Sequence, residues 1–208
     1  MDTFALVAAE RRRLADALDE LDPSAWERPS LCGAWTCHQV AAHLNAPFAV
    51  PKLGFAVELA KAFGSFDKAN ERVAIDLATR LDPAACIAGL RTNADSHFTP
   101  PMFGPEAPLS DTIVHGGDIL QPNGRGVEVA PEALGASLQF LTTAKARMGF
   151  GAAKVDGLAL APSDLDLVVG AGERVEGPAR SLICAIAGRR PFLDDLSGPG
   201  ADVLRTRL

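Results

Sequence analysis

The chain lacks the features that would place it in a membrane or in a secretion pathway. No apolar run approaches the roughly 18–20 residues that a membrane-crossing helix needs. The start, Met1-Asp2-Thr3-Phe4, has neither the basic segment nor the apolar stretch of a signal peptide. We therefore expect no membrane association and a cytoplasmic location.

A surplus of positive charge is also missing. The 208 residues carry a formal net charge of −6, whereas a nucleic-acid-binding protein needs a basic face for the phosphates. We interpret the one basic run, Arg11-Arg12-Arg13, as the solvated side of a first helix. No nucleic-acid partner is therefore expected, and the oligomeric state is not readable from the sequence.

Cysteines are few, and their spacing fits no common zinc or redox motif. The chain has Cys32, Cys37, Cys86 and Cys184. The first two are five residues apart, which is the wrong interval for a CxxC pair, and no second pair follows. We expect reduced and mostly buried thiols, since free cysteine behaves as a small apolar residue.

What the sequence does contain is enough apolar material for a real core. Hydrophobic residues make up 48% of the chain and charged residues 22%, which is ordinary for a globular protein. Helical periodicity dominates up to about residue 150, and short strand-like runs follow it. The predicted fold is mainly α, with a helical bundle over residues 1–150 and a small α+β module over residues 151–208.

Capping residues predict where several of the helices begin. Thr36-Cys-His-Gln39 has the form of a capping box, with a hydroxyl at the cap and Gln three residues later. Asp82-Pro83 places a cap before a proline at the first helical position. The proline-rich segment 99–108 predicts a loop, so that the next helix starts at Pro108 or Ser110.

The second half of the chain predicts one long helix and then a small module. The helix runs from Pro131 to Met148. Strand-like runs follow at Gly157–Ala161, Leu165–Val169 and Glu173–Glu176. A helix from Pro178 to Ala187 closes the pattern.

Two histidines and one aspartate suggest a metal site. Asp111-Thr-Ile-Val-His115 separates a carboxylate and an imidazole by four residues, so both lie on one face of a helix. His43 lies in a separate apolar segment that also reads as helix. Two imidazoles and one carboxylate are a common ligand set for a divalent metal with an open position.

Each of these residues also has a simpler interpretation. A lone histidine such as His43 is more often a hydrogen-bonded core residue than a ligand. Asp111 would serve the helix dipole or a cap, and His115 would be a surface residue beside a glycine pair. The combination favours a metal, because buried ionisable groups on one stripe need a partner. Asp118 lies on the same face, either as an acceptor that orients a ligand or as a simple helix-end residue.

The other two histidines are weaker candidates. His38 lies on the first turn of its helix, where helical geometry points it away from His43. His97 precedes the proline-rich loop and reads as a surface or loop residue.

Three segments resemble the mycothiol-dependent maleylpyruvate isomerase-like family, which belongs to the DinB-like helical-bundle superfamily. The segment from Trp26 to Leu44 is similar to the family's pattern of a Trp, a Pro-Ser turn ending in Trp-Thr, and a Val-x-x-His-Leu helix. Asp111–Ile119 resembles its acidic-x-x-x-His-x-x-Asp-Ile segment. Gly177–Arg189 and Leu193–Gly198 are similar to its C-terminal module.

The resemblance implies a four-helix-bundle metal-binding domain followed by the α+β module. It implies a divalent metal, zinc first and nickel or iron as alternatives, held by His43, Asp111 and His115, together with mycothiol as a thiol cofactor. The isomerase of that family has Glu where this chain has Asp111. The family's substrate-binding arginine has four candidate positions here: Arg180, Arg189, Arg205 and Arg207. No catalytic residue is assigned.

Three functions follow as hypotheses. The first is a mycothiol-dependent isomerase or S-transferase, in which a thiolate adds to a small electrophilic substrate. The second is a metal-dependent hydrolase that uses bound water. The third is a non-catalytic metal-containing stress or binding protein, in which His97 or Cys37 closes the metal as a fourth ligand.

Overall fold

The computed structural model describes residues 2–126 and 128–208, except for the side chain of Lys52. Helices dominate these residues, and a small sheet lies near the C-terminus, which confirms the predicted fold class. Among the residues so described, no helix combines the length and the apolarity needed to cross a membrane. The α-helices are α1 (Thr3–Asp19), α2 (Cys37–Ala49), α3 (Lys52–Lys61), α4 (Phe66–Arg80), α5 (Pro83–Thr92), α6 (Glu106–Leu120), α7 (Pro131–Leu141), α8 (Ala144–Phe150), α9 (Ala179–Ile186) and α10 (Pro199–Thr206).

The sheet has three strands, β1 (Leu158–Pro162), β2 (Val169–Gly170) and β3 (Glu173–Gly177), in the order β2-β1-β3. The central strand β1 pairs antiparallel with β2 and parallel with β3. All five residues of β1 are buried. Because only alternate residues of β3 are buried, that strand shows one face to solvent.

Contacts divide the chain into two units. The first comprises Met1–Glu10, Thr99–Val114 and Glu128–Leu208, and the second comprises Arg11–Phe98 and His115–Val127. The division passes through α6, so this single helix belongs to both units. The predicted domain boundary between residues 150 and 151 stays a prediction, since groups of contacts do not by themselves define domains.

Within the second unit, α2 begins where the capping box predicts. The Gln39 N–H donates to the Thr36 hydroxyl at 3.2 Å, and the Thr36 N–H donates to the Gln39 side chain at 2.9 Å. Further along α2, the buried Asn45 amide donates to the Cys86 carbonyl of α5 at 3.1 Å. This bond fixes α5 against α2 at a point where Gly89 leaves room for the Asn45 side chain.

A close approach between two helices positions the second half of α6. A Cβ atom built on Gly116 would lie 3.3 Å from a methyl carbon of Leu14, which is itself fully buried in α1. The glycine thus lets the Leu14 side chain lie directly against the α6 backbone. Gly116, which weakens this helix in isolation, therefore has a packing role beside His115.

Three sequence-based predictions about elements are wrong. Residues 131–148 do not form one helix, because the Thr143 hydroxyl accepts from the Ala146 N–H and caps a separate α8. The helix α6 begins at Glu106, inside the predicted loop. Pro108 is tolerated there because the first turn of a helix needs no N–H donors. Most of Leu165–Val169 is not strand, since β2 contains only Val169 and Gly170.

Candidate metal centre

Helix α6 carries Asp111 and His115 one turn apart, as their spacing predicts. Asp111 is half-buried, whereas His115 is buried with 8% of its surface exposed. A separation of four residues places both side chains on one face of the helix. The local geometry of this pair therefore follows from the helix alone.

The structure brings His43 to the same face. One possible ligand atom from each of His43, Asp111 and His115 lies within 4.8 Å of the other two. The rings of His43 and His115 have centroids 5.0 Å apart and meet edge to face, with an interplanar angle of 72°. Two imidazoles and one carboxylate are donors that zinc and similar ions take, so the metal role of this trio stays a prediction that the proximity of the three side chains allows.

Asp118 holds the His115 ring. Its carboxylate is fully buried, and Oδ2 lies 2.8 Å from Nδ1 of His115. A carboxylate only accepts, so the proton of a neutral imidazole sits on Nδ1 and the lone pair sits on Nε2. This is how the carboxylate partners of ligating histidines orient the ring in known metal sites.

Trp35 forms an aromatic wall beside both histidines. Its ring centroid lies 5.2 Å from that of His43 and 6.4 Å from that of His115. The residue stands just before the capping box of α2, so the start of that helix fixes the position of the indole. The indole therefore lies along one side of the two imidazoles.

The loop before Trp35 is held to the end of α6. The Leu31 N–H donates to the backbone carbonyl of Asp118 at 3.1 Å, and the Ser30 N–H donates to the Trp35 carbonyl at 2.9 Å. Gly33 makes the turn with a φ of +58°, a conformation that favours glycine. The half-buried Cys32 is thereby placed close to His115 and Asp118.

Cys32, which the sequence pattern does not single out, lies beside the candidate site. One possible ligand atom from each of Cys32, His115 and Asp118 lies within 4.8 Å of the others, so these three residues form a second group of side chains that could hold a metal ion. Its spacing from Cys37 fits no ligand motif, and more than eighty residues separate it from His115. No sequence signal indicated this proximity.

Other candidate ligands are used elsewhere or lie outside both groups. His38 Nε2 lies 2.7 Å from the Leu81 carbonyl. Cys37 is buried, with Sγ 3.6 Å from the Asn123 side chain, and burial raises the pKa of its thiol. His97 is exposed and joins neither group found among the described residues. The geometry of the described residues thus gives no support to the prediction that His97 or Cys37 is a fourth protein ligand of the metal.

The four candidate arginines lie in the first unit. Arg205 and Arg207 each donate to backbone carbonyls of other segments, at 3.0 Å and 2.7 Å respectively. The Arg180 guanidinium carbon lies 6.0 Å from the centre of an aromatic ring, and Arg189 donates to a nearby carbonyl at 2.5 Å. None of these contacts assigns a role in substrate binding, which stays a prediction.

Comparisons with known proteins identify the N-terminal region. Residues 7–108 match the family model described as the mycothiol maleylpyruvate isomerase N-terminal domain. The matched range includes Cys32, Trp35 and His43, and it ends before Asp111. No curated protein matches the chain.

Two crystal structures share the fold. One is of the mycothiol-dependent maleylpyruvate isomerase, with 18% sequence identity, a TM-score of 0.57, and coverage of 96% of this chain and 92% of that chain. The other is of a variant of that isomerase with one histidine replaced by alanine, with 17% identity, a TM-score of 0.56 and the same coverage. At such identities the likeness shows the fold alone. Residues 7–108 therefore belong to the mycothiol maleylpyruvate isomerase N-terminal domain family, and the chain shares the fold of the isomerase.

Proposed function

We propose that this protein is a metal-dependent enzyme that uses mycothiol to act on a small electrophilic substrate. The observation that carries the proposal is the group formed by His43, Asp111 and His115, whose ligand atoms lie within 4.8 Å of one another. The family of the N-terminal region supports the choice of thiol. The proposed partners are therefore a small-molecule thiol and an electrophile, and the cytoplasmic location remains a prediction.

The donor set fits a divalent cation with an open side. Two neutral imidazoles and one carboxylate supply one negative charge, which leaves a divalent ion with net positive charge. Asp118 keeps the Nε2 lone pair of His115 available, because it accepts from Nδ1. Zinc is the first choice, and nickel or iron suit the same nitrogen and oxygen donors.

The reaction class follows from what such a centre does to a thiol. A divalent cation bound there would stabilise the thiolate form of mycothiol at neutral pH. The thiolate then adds to an activated double bond of the substrate. Addition would leave an enolate. If its former double bond rotates and the thiolate leaves, the product is an isomer, whereas uptake of a proton from solvent and release of the adduct is an S-transfer.

The residues around the trio supply orientation rather than proton transfer. Asp118 fixes the tilt and tautomer of His115, and Trp35 covers one side of both imidazoles. Low access of water strengthens the attraction between a bound cation and an incoming anion. These residues therefore define the face from which a thiol approaches.

Thermal unfolding with added ligands tests the proposal. We expect mycothiol to raise the Tm of the zinc-loaded protein, because a ligand that binds only the folded state stabilises it by mass action. The same thiol should leave the metal-free protein and the His43→Ala variant unchanged. A small unrelated thiol, such as 2-mercaptoethanol, serves as the control for reduction or chelation.

Two results would favour a different function. Turnover of ester or amide substrates without any thiol would indicate a hydrolase. A zinc-loaded protein that mycothiol does not stabilise would indicate a non-catalytic metal protein. Equal metal content in wild type and His43→Ala, measured by elemental analysis, would remove the proposed centre itself.

A further inference from the structure

The second group of ligand-type side chains differs in chemistry from the first. Cys32, His115 and Asp118 offer a thiol, an imidazole and a carboxylate within 4.8 Å of one another. His115 is the one member that this group shares with the first. Because a thiolate ligand favours soft ions, the second group has a different metal preference from a set of nitrogen and oxygen donors.

The backbone around Cys32 is fixed rather than loosely placed. The Cys32 N–H donates to the Ser30 hydroxyl at 3.1 Å, and the Cys32 carbonyl accepts from the Trp35 N–H at 3.2 Å. One residue earlier, the Leu31 N–H binds the backbone carbonyl of Asp118 at 3.1 Å. The helix that carries His115 and Asp118 therefore also anchors the loop that carries the thiol.

The two ring nitrogens of His115 offer a way to distinguish the two groups. Asp118 lies on the Nδ1 side, 2.8 Å from that nitrogen. A neutral imidazole has one ring nitrogen with a proton and one with a lone pair. A proton on Nδ1 leaves Nε2 for an ion held with His43 and Asp111, whereas a proton on Nε2 leaves Nδ1 for an ion held with Asp118.

We propose that Cys32, His115 and Asp118 form an alternative metal position, on the Nδ1 side of His115, for a thiophilic divalent ion such as Cd²⁺. On binding, the Cys32 thiol releases its proton to solvent, and the ring proton of His115 leaves Nδ1 while another is taken up at Nε2. One proton is thus released for each ion bound. Thiolate and carboxylate together balance the charge of the ion.

An ion bound with Cys32 and Asp118 prevents another ion from binding with His43 and Asp111. Both need the single lone pair of His115, so each chain holds one ion at a time in this region. The softness of the metal decides which of the two groups binds it. A thiophilic ion held with Cys32 then prevents a second ion from binding to the nitrogen and oxygen donors of the first group. The inference shares His115 with the proposed function but does not depend on any thiol substrate.

Ultraviolet absorption during Cd²⁺ titration of the reduced, metal-free protein tests the position. We expect a thiolate-to-cadmium charge-transfer band that saturates at one ion per chain and is lost in Cys32→Ser. The matched control, Cys37→Ser, changes another thiol of the same region and should keep the band. No band in wild type, or an unchanged band in Cys32→Ser, would overturn the proposal.

A second measurement needs no variant. Cd²⁺ should protect Cys32 of the wild-type protein against alkylation, which mass spectrometry of the digested chain reads out residue by residue. Alkylation of Cys32 at the same rate with and without Cd²⁺ contradicts the proposal.

Variants of the shared and unshared ligands separate this position from the proposed enzyme site. His43→Ala should keep the cadmium band, because His43 belongs only to the first group, and Asp118→Asn should weaken it. Loss of the band in His43→Ala would instead place Cys32 around the first ion and would overturn the alternative position. A protein that shows the band but gains no stability from mycothiol refutes only the proposed function.

Discussion

The buried carboxylate of Asp118 lies 2.8 Å from Nδ1 of His115, three residues earlier on α6. This contact orients the ring, and the backbone carbonyl of the same aspartate accepts from Leu31 and anchors the loop. Asp118 therefore connects three parts of the candidate site: the helix, one predicted ligand and the loop with Cys32.

Asp118→Asn should weaken zinc binding about 10–100-fold, which is the usual effect of removing the acceptor behind a ligating histidine. The amide no longer selects the tautomer with the lone pair on Nε2. Zinc affinity measured by competition with a chelator checks this, with the exposed Asp156→Asn as the matched control. Equal affinities in the wild type and both variants would show that Asp118 does not position His115.

The carboxylate at position 111 should tolerate lengthening but not neutralisation. Asp111→Glu keeps the charge and an oxygen donor on the same helix face, so we expect its zinc content to stay near that of wild type. Asp111→Asn removes the charge and should lower the content strongly. Elemental analysis after dialysis compares the three proteins, and equal content in all of them would exclude Asp111 as a ligand.

Two helical glycines should respond in opposite directions to alanine. A Cβ atom at Gly89 would lie 2.0 Å from the side-chain oxygen of the buried Asn45, which is held by bonds to two carbonyls. We expect Gly89→Ala to lower the free energy of unfolding by about 1–3 kcal/mol. At Gly135 the nearest atom, on Leu167, is 3.8 Å away, so Gly135→Ala should raise it by about 0.5–1 kcal/mol.

Urea unfolding of both variants measures these changes. The double variant Gly89→Ala with Asn45→Ala shows whether the contact between the two side chains causes the loss, because the two effects should then not add. Additive losses would place the cause elsewhere.

Alkaline pH should destabilise the protein through Cys86. Burial raises the pKa of this thiol from 9.0 to about 12 in the folded protein. Between these values the unfolded chain releases the proton and the folded chain retains it, so stability falls as pH rises, by at most about 1.4 kcal/mol per pH unit. The chain contains no tyrosine, so no phenol titrates in the same interval.

The free energy of unfolding across this pH range, compared between wild type and Cys86→Ala, isolates the contribution of the thiol. We expect a steeper decline in wild type. Parallel curves for the two proteins would show that Cys86 ionises in the folded state as readily as in the unfolded one.

Local chemistry made much of the secondary structure predictable. The capping box at Thr36 and the cap at Asp82 set the starts of α2 and α5, because a side-chain acceptor and a nearby N–H lie within three residues of each other. The long helix predicted over 131–148 was wrong for a related reason. Thr143 caps a new helix in the middle of an otherwise helical pattern. The periodicity of apolar residues does not reveal such an internal cap, so it predicts one continuous helix.

The sequence by itself determined that Asp111 and His115 share a helix face, since four residues make about one turn. It also singled out His43 as a candidate ligand and showed the resemblance to the family whose model matches residues 7–108. Only the tertiary structure decided that His43 approaches this face, that Asp118 binds Nδ1 of His115, and that Cys32 lies beside them. The physical reason is that spacing fixes positions only within one element, whereas the approach of a loop to a helix depends on hydrogen bonds and packing between segments far apart in the chain.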